Sequence, residues 1–403
     1  MKEGWTYKAL GDVCDVINGL WKGKKPPYIN VGVIRNANFT KSFTLRYDNI
    51  EYLDVEVRQY EKRKLQKGDL IVEKSGGSEK QPVGRAVLFE REDGEFSFSN
   101  FTSILRIKDK ESFNSKFLFY VLLFIYKRGD TLGMQKATTG IHNIEFEKYL
   151  NISVPVISLA EQERIVERLD AAFAQIDELK SNAEKQLAEA RALFQSALTQ
   201  AMQHKPGWQE KKIKDIADVK GGKRVPKGYK LQSTKTNHPY IRVADFNNFG
   251  TIEMSDIQYI SDDIFEQIKN YTITDKDLYV SIAGTIGKTG IIPSELNGAN
   301  LTENACKLVF KEDINLRFVY LFTLSEIFKK QVEKATKQAS QPKLALTRLA
   351  EVKISIPSIT EQQIIVEHLD ALSNHVKELE EISRKTAAEC DALKQALLRQ
   401  IFE

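Results

Sequence analysis

The feature that most constrains this 403-residue chain is a segment that occurs twice, 200 residues apart. Residues 161–171 and 361–371 share the pattern Glu-Gln-x-x-Ile-Val-Glu-x-Leu-Asp-Ala. About 18 of the 40 positions from Glu161 to Gln200 are identical in the second copy without a gap. Each copy follows a short strand-like run that ends at Pro155 or Pro357. A repeat of this length predicts a duplicated architecture, although an old duplication without functional meaning remains the alternative.

The regions before the two repeats also correspond, more weakly. Four pairs of segments match: 4–5 with 207–208, 10–16 with 213–219, 27–29 with 239–241, and 68–72 with 276–280. The sequence therefore predicts a globular domain at 1–159, a long helix at 160–203, a second globular domain at 204–359 and a second long helix at 360–403. Because the helices stayed more alike than the globular domains, we expect a shared framework whose two domains read different targets.

Both repeats are typical of long helices. From Ala160 to Gln203 there is no Gly or Pro, and good helix formers dominate. Ser158 with Glu161 three residues later is a candidate capping box, and Thr360 or Ser358 could begin the second helix. A 44-residue helix would be roughly 66 Å long.

Apolar residues in each helix step by alternating fours and threes, which is the spacing of a coiled-coil seam. We predict that the helices pair antiparallel within one chain, with the globular domains at opposite ends and related by a pseudo-two-fold axis. A parallel homodimer, or two helices that each pack on their own domain, are the alternatives. The predicted seam residues are Ile165, Leu169, Ile176, Leu179, Leu193, Ile365, Leu369, Val376, Leu379, Leu393 and Leu397, with polar interruptions at Gln186, Ser383 and Thr386.

Short apolar runs bounded by Gly, Pro, Asn and Asp predict strands and turns in both globular domains. The fold class is therefore mixed α/β (α+β), with two domains built mainly on curved sheets. Candidate strands are 70–72, 86–89, 103–107, 240–243, 278–280 and 307–310, and candidate helices are 115–127 and 316–334.

Charge divides the chain by region. Residues 1–159 hold 25 basic and 20 acidic side chains, and residues 204–360 hold 24 and 18, whereas both helical segments are net acidic. Basic loops that also carry Gly, Asn and Tyr can bind phosphates and base edges, so a nucleic-acid surface is predicted in each globular domain. The candidate DNA-binding residues are Lys22, Lys24, Lys25, Asn30, Arg35, Lys62, Arg63, Lys64, Lys220, Lys223, Arg224, Lys227 and Arg242.

No catalytic or metal site is predicted. The turn at 284–289 ends like a phosphate-binding loop, but Ile282 stands where that loop requires Gly. The run Lys25-Pro26-Pro27-Tyr28 resembles the NPPY of amino-methyltransferases but lacks the leading Asn or Asp. Five histidines and three cysteines show no metal or disulfide spacing. No apolar run reaches membrane-spanning length and the N-terminus has no signal core, so a cytosolic protein is expected.

The two helical repeats, each entered through Val-Pro or Ile-Pro, resemble those of the specificity (S) subunits of type I restriction-modification systems. The resemblance covers the whole chain. It implies a subunit without catalytic activity in a prokaryotic cytoplasm, whose two target-recognition domains each read half of a bipartite DNA sequence. The helices would set the spacer and dock two modification subunits, which methylate adenine.

The same resemblance implies the partners and their cofactors. These are double-stranded DNA, the two modification subunits with S-adenosylmethionine, and restriction subunits that use ATP and Mg. This chain itself would bind no cofactor and no membrane. Two other classes of protein compete with this interpretation: a fused nuclease-methyltransferase, and a structural coiled-coil protein whose basic domains bind another partner. Neither explains duplicated domains on duplicated helices.

Overall fold

The computed structural model describes residues 2, 4–20, 23–78, 81–138, 141–247, 249–311, 314–336 and 342–403. The chain divides into two compact units. Unit 1 comprises Met1–Asn182 and Arg384–Glu403, and unit 2 comprises Ala183–Ser383. Among the described residues, no helix is long and apolar enough to cross a membrane.

Unit 1 begins with a mixed set of short strands and helices. The strands are β1 Thr6–Ala9, β2 Cys14–Asn18, β3 Tyr28–Ile34, β4 Glu51–Glu56, β5 Leu70–Glu73, β6 Ser75–Gly77, β7 Ala86–Leu88, β8 Phe96–Phe98, β9 Thr102–Ile107, β10 Gln135–Thr138, β11 Ile141–Ile144 and β12 Ser153–Val156. The helices are α1 Leu10–Val13, α2 Val57–Glu61, α3 Ser115–Arg128, α4 Phe146–Leu150 and the start of α5 Leu159–Ala201, with 3₁₀ turns at Asn36–Asn38 and Asp130–Met134.

Four sheets organise unit 1. Strands pair in the orders β2-β9-β5-β7, β4-β3-β8, β10-β11-β6 and β1-β12. All pairs are antiparallel except β3 with β8, which run parallel with Ile34 beside Phe98. The main core lies between the β2-β9-β5-β7 sheet and the almost completely buried helix α3.

Unit 2 contains the second set of elements. The strands are β13 Gln209–Lys212, β14 Ala217–Gly221, β15 Pro239–Ile241, β16 Gln258–Tyr259, β17 Thr272–Ile273, β18 Leu278–Ser281, β19 Thr289–Ile291, β20 Ala299–Leu301, β21 Ala305–Phe310 and β22 Lys353–Ile356. The helices are α6 Ile213–Ile216, α7 Asp262–Ile268, α8 Leu316–Leu324, α9 Glu326–Thr336, α10 Leu346–Ala350 and the start of α11 Ile359–Phe402, with 3₁₀ turns at Val243–Asp245 and Ser294–Leu296.

The sheets of unit 2 repeat those of unit 1. Strand orders are β14-β21-β18-β19, β16-β15-β20-β17 and β13-β22, and β15 with β20 is again parallel. The predicted match of 68–72 with 276–280 is confirmed, because Asp69 and Asp277 each accept a hydrogen bond from the backbone N–H three residues earlier. The mixed α/β class and the internal repeat are therefore both confirmed.

Each long helix is tied to its globular part by the same polar contacts. Asn114 and Asn315 cap α3 and α8 by accepting hydrogen bonds from two backbone N–H groups. The buried side chains of Gln162 and Gln362 accept from the backbone N–H of these capping residues at 2.8 and 3.0 Å. The Gln of the repeated Glu-Gln pattern therefore has a structural role. Its side chain joins the start of α5 to the N-cap of α3, and the start of α11 to the N-cap of α8.

The long helices begin as predicted, but three of the eleven predicted seam residues lie one residue away from the observed seam. Ser158 and Ser358 each accept a hydrogen bond from the backbone N–H three residues on, so Ser358 rather than Thr360 caps α11. In unit 1, Asp177 pairs with Lys394 and Lys180 with Asp391, which shows that α5 and α11 run antiparallel there.

Within unit 2, Arg191 pairs with Glu380 at 2.6 Å, and Leu198 shares a core with Leu369, so the two helices are antiparallel there as well. Of the predicted seam residues, those that are buried are Ile165, Leu169, Ile176 and Leu369, and those that are half-buried are Ile365, Val376, Leu379 and Leu397.

Leu179, Leu193 and Leu393 are 59%, 61% and 49% exposed, so their assignment to the seam is wrong. The covered positions one residue further on are Lys180, Phe194 and Lys394. Lysine stems and a phenylalanine cover the partner helix where leucines were expected, because long aliphatic stems can lie along apolar surface while their charges reach solvent. Gln186 is exposed as well, whereas the next residue, Leu187, is half-buried.

Two other sequence predictions differ from the structure. The helix predicted at 316–334 is broken at Ser325, whose hydroxyl accepts a hydrogen bond from the backbone N–H of Phe328 at 3.3 Å and so caps α9. The strand predicted at 240–243 ends at Ile241, because Val243–Asp245 form a 3₁₀ turn in which Asp245 accepts from the backbone N–H of Arg242.

Candidate nucleic-acid interface

Each unit has an equivalent edge at which a polar pocket lies beside a basic loop. At this edge the parallel strands end together: Ile34 accepts a hydrogen bond from the backbone N–H of Ser99, and Ile241 accepts from that of Thr302. The chain leaves the first strand of each pair in a 3₁₀ turn that begins after Arg35 or Arg242. Side chains at the carboxyl ends of parallel strands therefore converge on one place in each unit.

This geometry corrects one of the sequence matches. The sequence aligned Pro27-Tyr28-Ile29 with Pro239-Tyr240-Ile241, whereas the parallel pairing makes Ile34 the counterpart of Ile241. The corrected repeat is Ile-Arg-x-Ala-(Asn or Asp)-Phe, at 34–39 and 241–246. Two predicted DNA-binding residues, Arg35 and Arg242, thus occupy equivalent positions.

A glycine brings the basic loop against this edge in both units. A Cβ atom added to Gly19 would lie 1.9 Å from the carbonyl oxygen of Ser99, and one added to Gly222 would lie 2.1 Å from that of Thr302. No side chain fits at either position. Gly therefore sets the closest approach between the loop that follows β2 or β14 and the edge where the parallel strands end.

In unit 1 the edge holds a pocket of about 400 Å³ whose lining includes unpaired polar atoms. Three buried atoms there have no hydrogen-bond partner: Arg35 Nε, Asn36 Oδ1 and Ser99 Oγ. The other side of the Asn36 amide donates to the backbone carbonyl of Ser75 at 2.6 Å, which fixes its orientation. Phe101, half exposed, and the exposed Asn100 form the rim. Buried polar atoms without partners are costly in a folded chain, which favours a site completed by something outside it.

The equivalent edge of unit 2 holds a pocket of about 510 Å³ with a charged rim. Arg224, which is 77% exposed, donates from Nε to Glu303 at 2.5 Å, and Thr302 donates to the other carboxylate oxygen at 2.9 Å. Partial burial is the largest single influence and raises the pKa of Glu303, but the hydrogen bonds from Arg224, from a backbone N–H and from Thr302, together with the charge of Arg224, outweigh it and hold that pKa below its ordinary value. Glu303 is therefore a charged acceptor at neutral pH.

Five of the predicted DNA-binding lysines are exposed. None of them has an ion-pair partner among the residues that the structure describes. Lys223 lies over the ring of Tyr271, and the backbone of its loop is fixed because Tyr240 donates to the carbonyl of Lys223 at 2.8 Å. The five are Lys24, Lys25, Lys62, Lys223 and Lys227, whereas Lys22 lies outside the described residues.

The other predicted residues have protein partners. Arg63 uses two of its donors on the backbone carbonyls of Asn18 and Gly19 and on Gln59, so it holds the basic loop of unit 1 in place. The remaining pairs are Asn30 with Asp54, Arg35 with Glu51, Lys64 with Glu95, Lys220 with Asp218, and Arg242 with Asp245 and Asp256. Their contribution to DNA binding stays a prediction.

The motif at 284–289 has a structural role. The Lys288 ammonium donates to the backbone carbonyl of Phe246, and the Ser281 hydroxyl accepts from the backbone N–H of Lys288 at 2.8 Å. The segment is the turn between β18 and β19. Cys14, Cys306 and Cys390 are buried and unpaired, and the described part of the chain contains no cluster of His, Cys, Asp and Glu that could hold a metal ion.

Comparison with known proteins decides the family. The model for the type I restriction modification DNA specificity domain matches twice, at residues 2–189 and 205–389. The chain belongs to this family. Its matching model is one of DNA specificity and not of catalysis, which agrees with the prediction that this chain is not itself an enzyme.

Named relatives cover nearly the whole chain. The type I restriction enzyme MjaVIII specificity subunit of Methanocaldococcus jannaschii is 22% identical over 99% of this chain and 92% of its own length. The EcoKI specificity subunit of Escherichia coli is 22% identical over 100% of this chain and 89% of its own length.

Two solved structures share the fold. One is a chain from a study of complex assembly and conformational transition in a type I R-M system, with 19% identity, a TM-score of 0.78, and coverage of 100% of this chain and 98% of that chain. The other is the HsdS subunit of Thermoanaerobacter tengcongensis, also 19% identical, with a TM-score of 0.58 and coverage of 100% and 97%. At this identity the likeness concerns the fold.

Sequence reasoning missed the uncharged and acidic members of the pockets: Asn36, Ser99, Asn100, Phe101, Thr302, Glu303 and Asn304. The sequence does hold a signal for the position of these pockets: the corrected repeat begins at Ile34 and Ile241, the residues at which the first strand of each parallel pair ends. The parallel partner of that strand lies about 60 residues further along the chain in both units, and nothing local in the sequence links the two segments.

Proposed function

We propose that this specificity subunit reads a bipartite DNA sequence, with residues 1–159 recognising one half and residues 204–359 the other. The observation that carries the proposal is the pair of equivalent edges, each with a basic loop beside a polar pocket. Lysines of the loop are suited to phosphates, which position a protein on DNA without selecting sequence. Pocket side chains are suited to base edges, which select sequence.

The difference between the two edges supports the proposal that the two units recognise different base sequences. The backbone framework is the same in both units, down to the glycine that brings the loop close. The rims differ in charge: Asn100 and Phe101 in unit 1 correspond to Glu303 and Asn304 in unit 2. Two sites that recognised the same bases would need no such difference.

The long helices are proposed to dock two modification subunits. Large apolar side chains stand on their exposed faces, although the helices are acidic and mostly polar. These are Leu179 and Leu393 in unit 1, and Leu193, Ile359, Ile364 and Ile382 in unit 2. Isolated exposed apolar residues are common, but six on two helices favour a protein partner over DNA.

A cavity of about 950 Å³ in unit 1 extends this surface. Its lining alternates aromatic rings with ion pairs, among them Phe173 and Tyr120, and Asp177 paired with Lys394. The carboxylate of Asp170 accepts from Tyr120 at 2.5 Å and pairs with Lys116 at 2.9 Å. Apolar area with a charged rim is the composition of a protein–protein interface. The partners would supply S-adenosylmethionine, ATP and Mg, because the family model that this chain matches is one of DNA specificity.

The antiparallel helices are further proposed to set the spacer between the two half-sites. The complex would then methylate adenine at the bipartite sequence and, with restriction subunits, cleave DNA that lacks the methyl groups.

Mapping of adenine methylation across a genome tests the proposal. Cells that express the modification subunits are compared with and without this chain. We expect one bipartite motif to gain methylation only when the chain is present. Purified chain alone should transfer no methyl group from S-adenosylmethionine. Methylation without a shared motif, or methyl transfer by the chain alone, would contradict the proposal.

A further inference from the structure

The two edge pockets offer hydrogen-bonding groups of different kinds to whatever lies against them. The inference rests on the proposed DNA recognition and names the base pair that each pocket takes. Both pockets adjoin the loops whose lysines are exposed, so a duplex held by its phosphates on those lysines would present a base edge to the pocket.

In unit 2 the rim presents a charged donor next to a charged acceptor. Arg224 is mostly exposed and keeps further N–H donors beyond the Nε that it gives to Glu303. Glu303 is one-quarter exposed and is oriented by Thr302. In the major groove, a G·C pair shows two acceptors on guanine and an amino donor on cytosine. An Arg–Glu couple matches that order, because the guanidinium can donate to guanine while the carboxylate accepts from cytosine.

In unit 1 Asn100 stands at the position of Glu303, and neutral groups line the pocket beside the Arg35–Glu51 pair. Asn36 Oδ1 is an acceptor without a partner, Ser99 Oγ is a second polar atom without a partner, and Asn100 adds an exposed amide. Phe101 exposes half of its ring beside them. An A·T pair shows an acceptor and an amino donor on adenine and an apolar methyl group on thymine. An amide and an aromatic ring are suited to that set of groups.

We infer that the unit 1 pocket reads an A·T pair through Asn36, Asn100 and Phe101, and that the unit 2 pocket reads a G·C pair through Arg224 and Glu303. The framework residues Arg35 and Arg242 are not assigned to base reading, since their side chains are 37% and 28% exposed, against 77% for Arg224. Both readings take place on double-stranded DNA with the modification subunits bound.

The test uses the complete methyltransferase complex and a library of duplexes in which each position of both half-sites is varied. The half-site of each unit is assigned first, by exchanging residues 1–159 for those of a relative. Wild type should restrict one position of the unit 2 half-site to G·C. Glu303→Gln should lower discrimination at that position by about tenfold to a hundredfold, because the amide both donates and accepts where the carboxylate only accepts.

The other positions provide internal controls. Glu303→Gln should leave the unit 1 half-site unchanged, and Asn100→Ala should relax one A·T position there without altering the unit 2 half-site. Glu210→Gln makes the same chemical change at an exposed carboxylate paired with Lys353 on the β13-β22 sheet, and no position should change. Near-ultraviolet circular dichroism of Glu303→Gln should match that of wild type.

The outcomes separate the inference from the proposed function. If the wild-type complex shows no sequence preference, the proposed function is contradicted. A clear wild-type preference that Glu303→Gln leaves intact would overturn the inference alone. The inference is also overturned if Glu303→Gln weakens binding equally on every duplex, because the Arg224–Glu303 pair would then act on the phosphates or only within the protein.

Discussion

Unit 1 and unit 2 place the same backbone around different chemistry. Each has a four-stranded antiparallel sheet, a parallel strand pair whose carboxyl ends form a pocket, and a glycine that presses a basic loop against that pocket. The pocket of unit 1 has the neutral residues Asn100 and Phe101 beside the Arg35–Glu51 pair, whereas at the equivalent positions the pocket of unit 2 has Glu303, paired with Arg224, and Asn304. The comparison teaches that the framework and the side chains that face a ligand can vary independently.

The units differ most after their first packed helix. In unit 1, α3 is followed by a 3₁₀ turn and the hairpin β10-β11, which pairs with β6. Unit 2 has helix α9 at this place, and the amphipathic face of α9 buries Phe328 and Val332 in the core. Neither insertion changes the parallel pair, but in unit 1 the pocket contacts the part that varies, because Asn36 donates to the backbone carbonyl of Ser75 in β6.

The largest effect is expected when the DNA-recognition domain of one unit is exchanged. Replacing residues 1–159 with the matching segment of a relative should alter one half of the methylated motif completely and leave the other half intact. The physical reason is that each unit has its own sheet, basic loop and pocket. Methylation mapping of the hybrid is the measurement. A change in both halves together would show that the units share one reading surface.

A seven-residue insertion in α5 tests whether recognition of the two half-sites is independent of the length of the spacer between them. Adding seven residues between Lys185 and Ala190 keeps the 3.5-residue repeat of α5 and lengthens it by roughly 10 Å. At about 3.4 Å per base pair, the spacer should grow by one to three base pairs while both half-sites persist. Twist of the duplex absorbs part of the change, since each added base pair also rotates the second half-site.

The matched control for this variant inserts two residues at the same place. It should destabilise the helix pair, because apolar positions beyond the insertion rotate off the partner helix. Methylation mapping reads the spacer and thermal unfolding reads the packing. An unchanged spacer in an active heptad variant would assign the spacing to the globular domains or to the modification subunits.

Adjacent glycines in unit 2 test whether the close approach of the basic loop matters. Gly222→Ala would put a Cβ 2.1 Å from a backbone oxygen, whereas Gly221→Ala meets only the flexible end of Leu346 at 3.3 Å. We expect Gly222→Ala to cost about 1–3 kcal/mol of stability and to weaken recognition of the unit 2 half-site. Gly221→Ala should do neither. Equal denaturation midpoints for the two variants would show that the loop is not held where the structure has it.

Sequence alone predicted the fold class, the repeat and the long helices, because each depends on local spacing. The sequence did not correctly predict every residue of the seam between the long helices. A 3.5-residue repeat fits two phases that share every second position, and Leu179, Leu193 and Leu393 favoured the wrong one. Hydrophobicity cannot separate the phases when lysine stems cover the partner helix, as those of Lys180 and Lys394 do.

The candidate site was predicted only in part. Lysine clusters marked the loops, since charge is visible in a sequence. The pockets were not visible, because Ser99 reaches Arg35 only through the parallel pairing of β3 with β8. Arg63 shows what a basic cluster in the sequence does not reveal, because its donors bind Asn18, Gly19 and Gln59 within the protein.

The smallest expected effect concerns the phosphates, where the two units should behave alike. The double variants Lys24→Gln/Lys25→Gln and Lys223→Gln/Lys227→Gln each remove two exposed charges from equivalent loops. If all four lysines bind phosphates, each double variant should weaken binding to every duplex and lower the salt slope of log affinity by about 1.8, since each contact contributes about 0.9.

Fluorescence anisotropy of the complex on cognate and unrelated duplexes from low to moderate salt measures this slope. The control, Lys212→Gln/Lys353→Gln, removes the same charge from the β13-β22 sheet, where both lysines are paired with glutamates. Its slope should stay at the wild-type value, because a lysine already neutralised within the protein displaces no counterion from DNA. If the salt slope falls equally in the two loop variants, the two units make equivalent phosphate contacts as well as sharing the same backbone. A loss confined to one loop would mean that the units differ in how they hold DNA as well as in what they read.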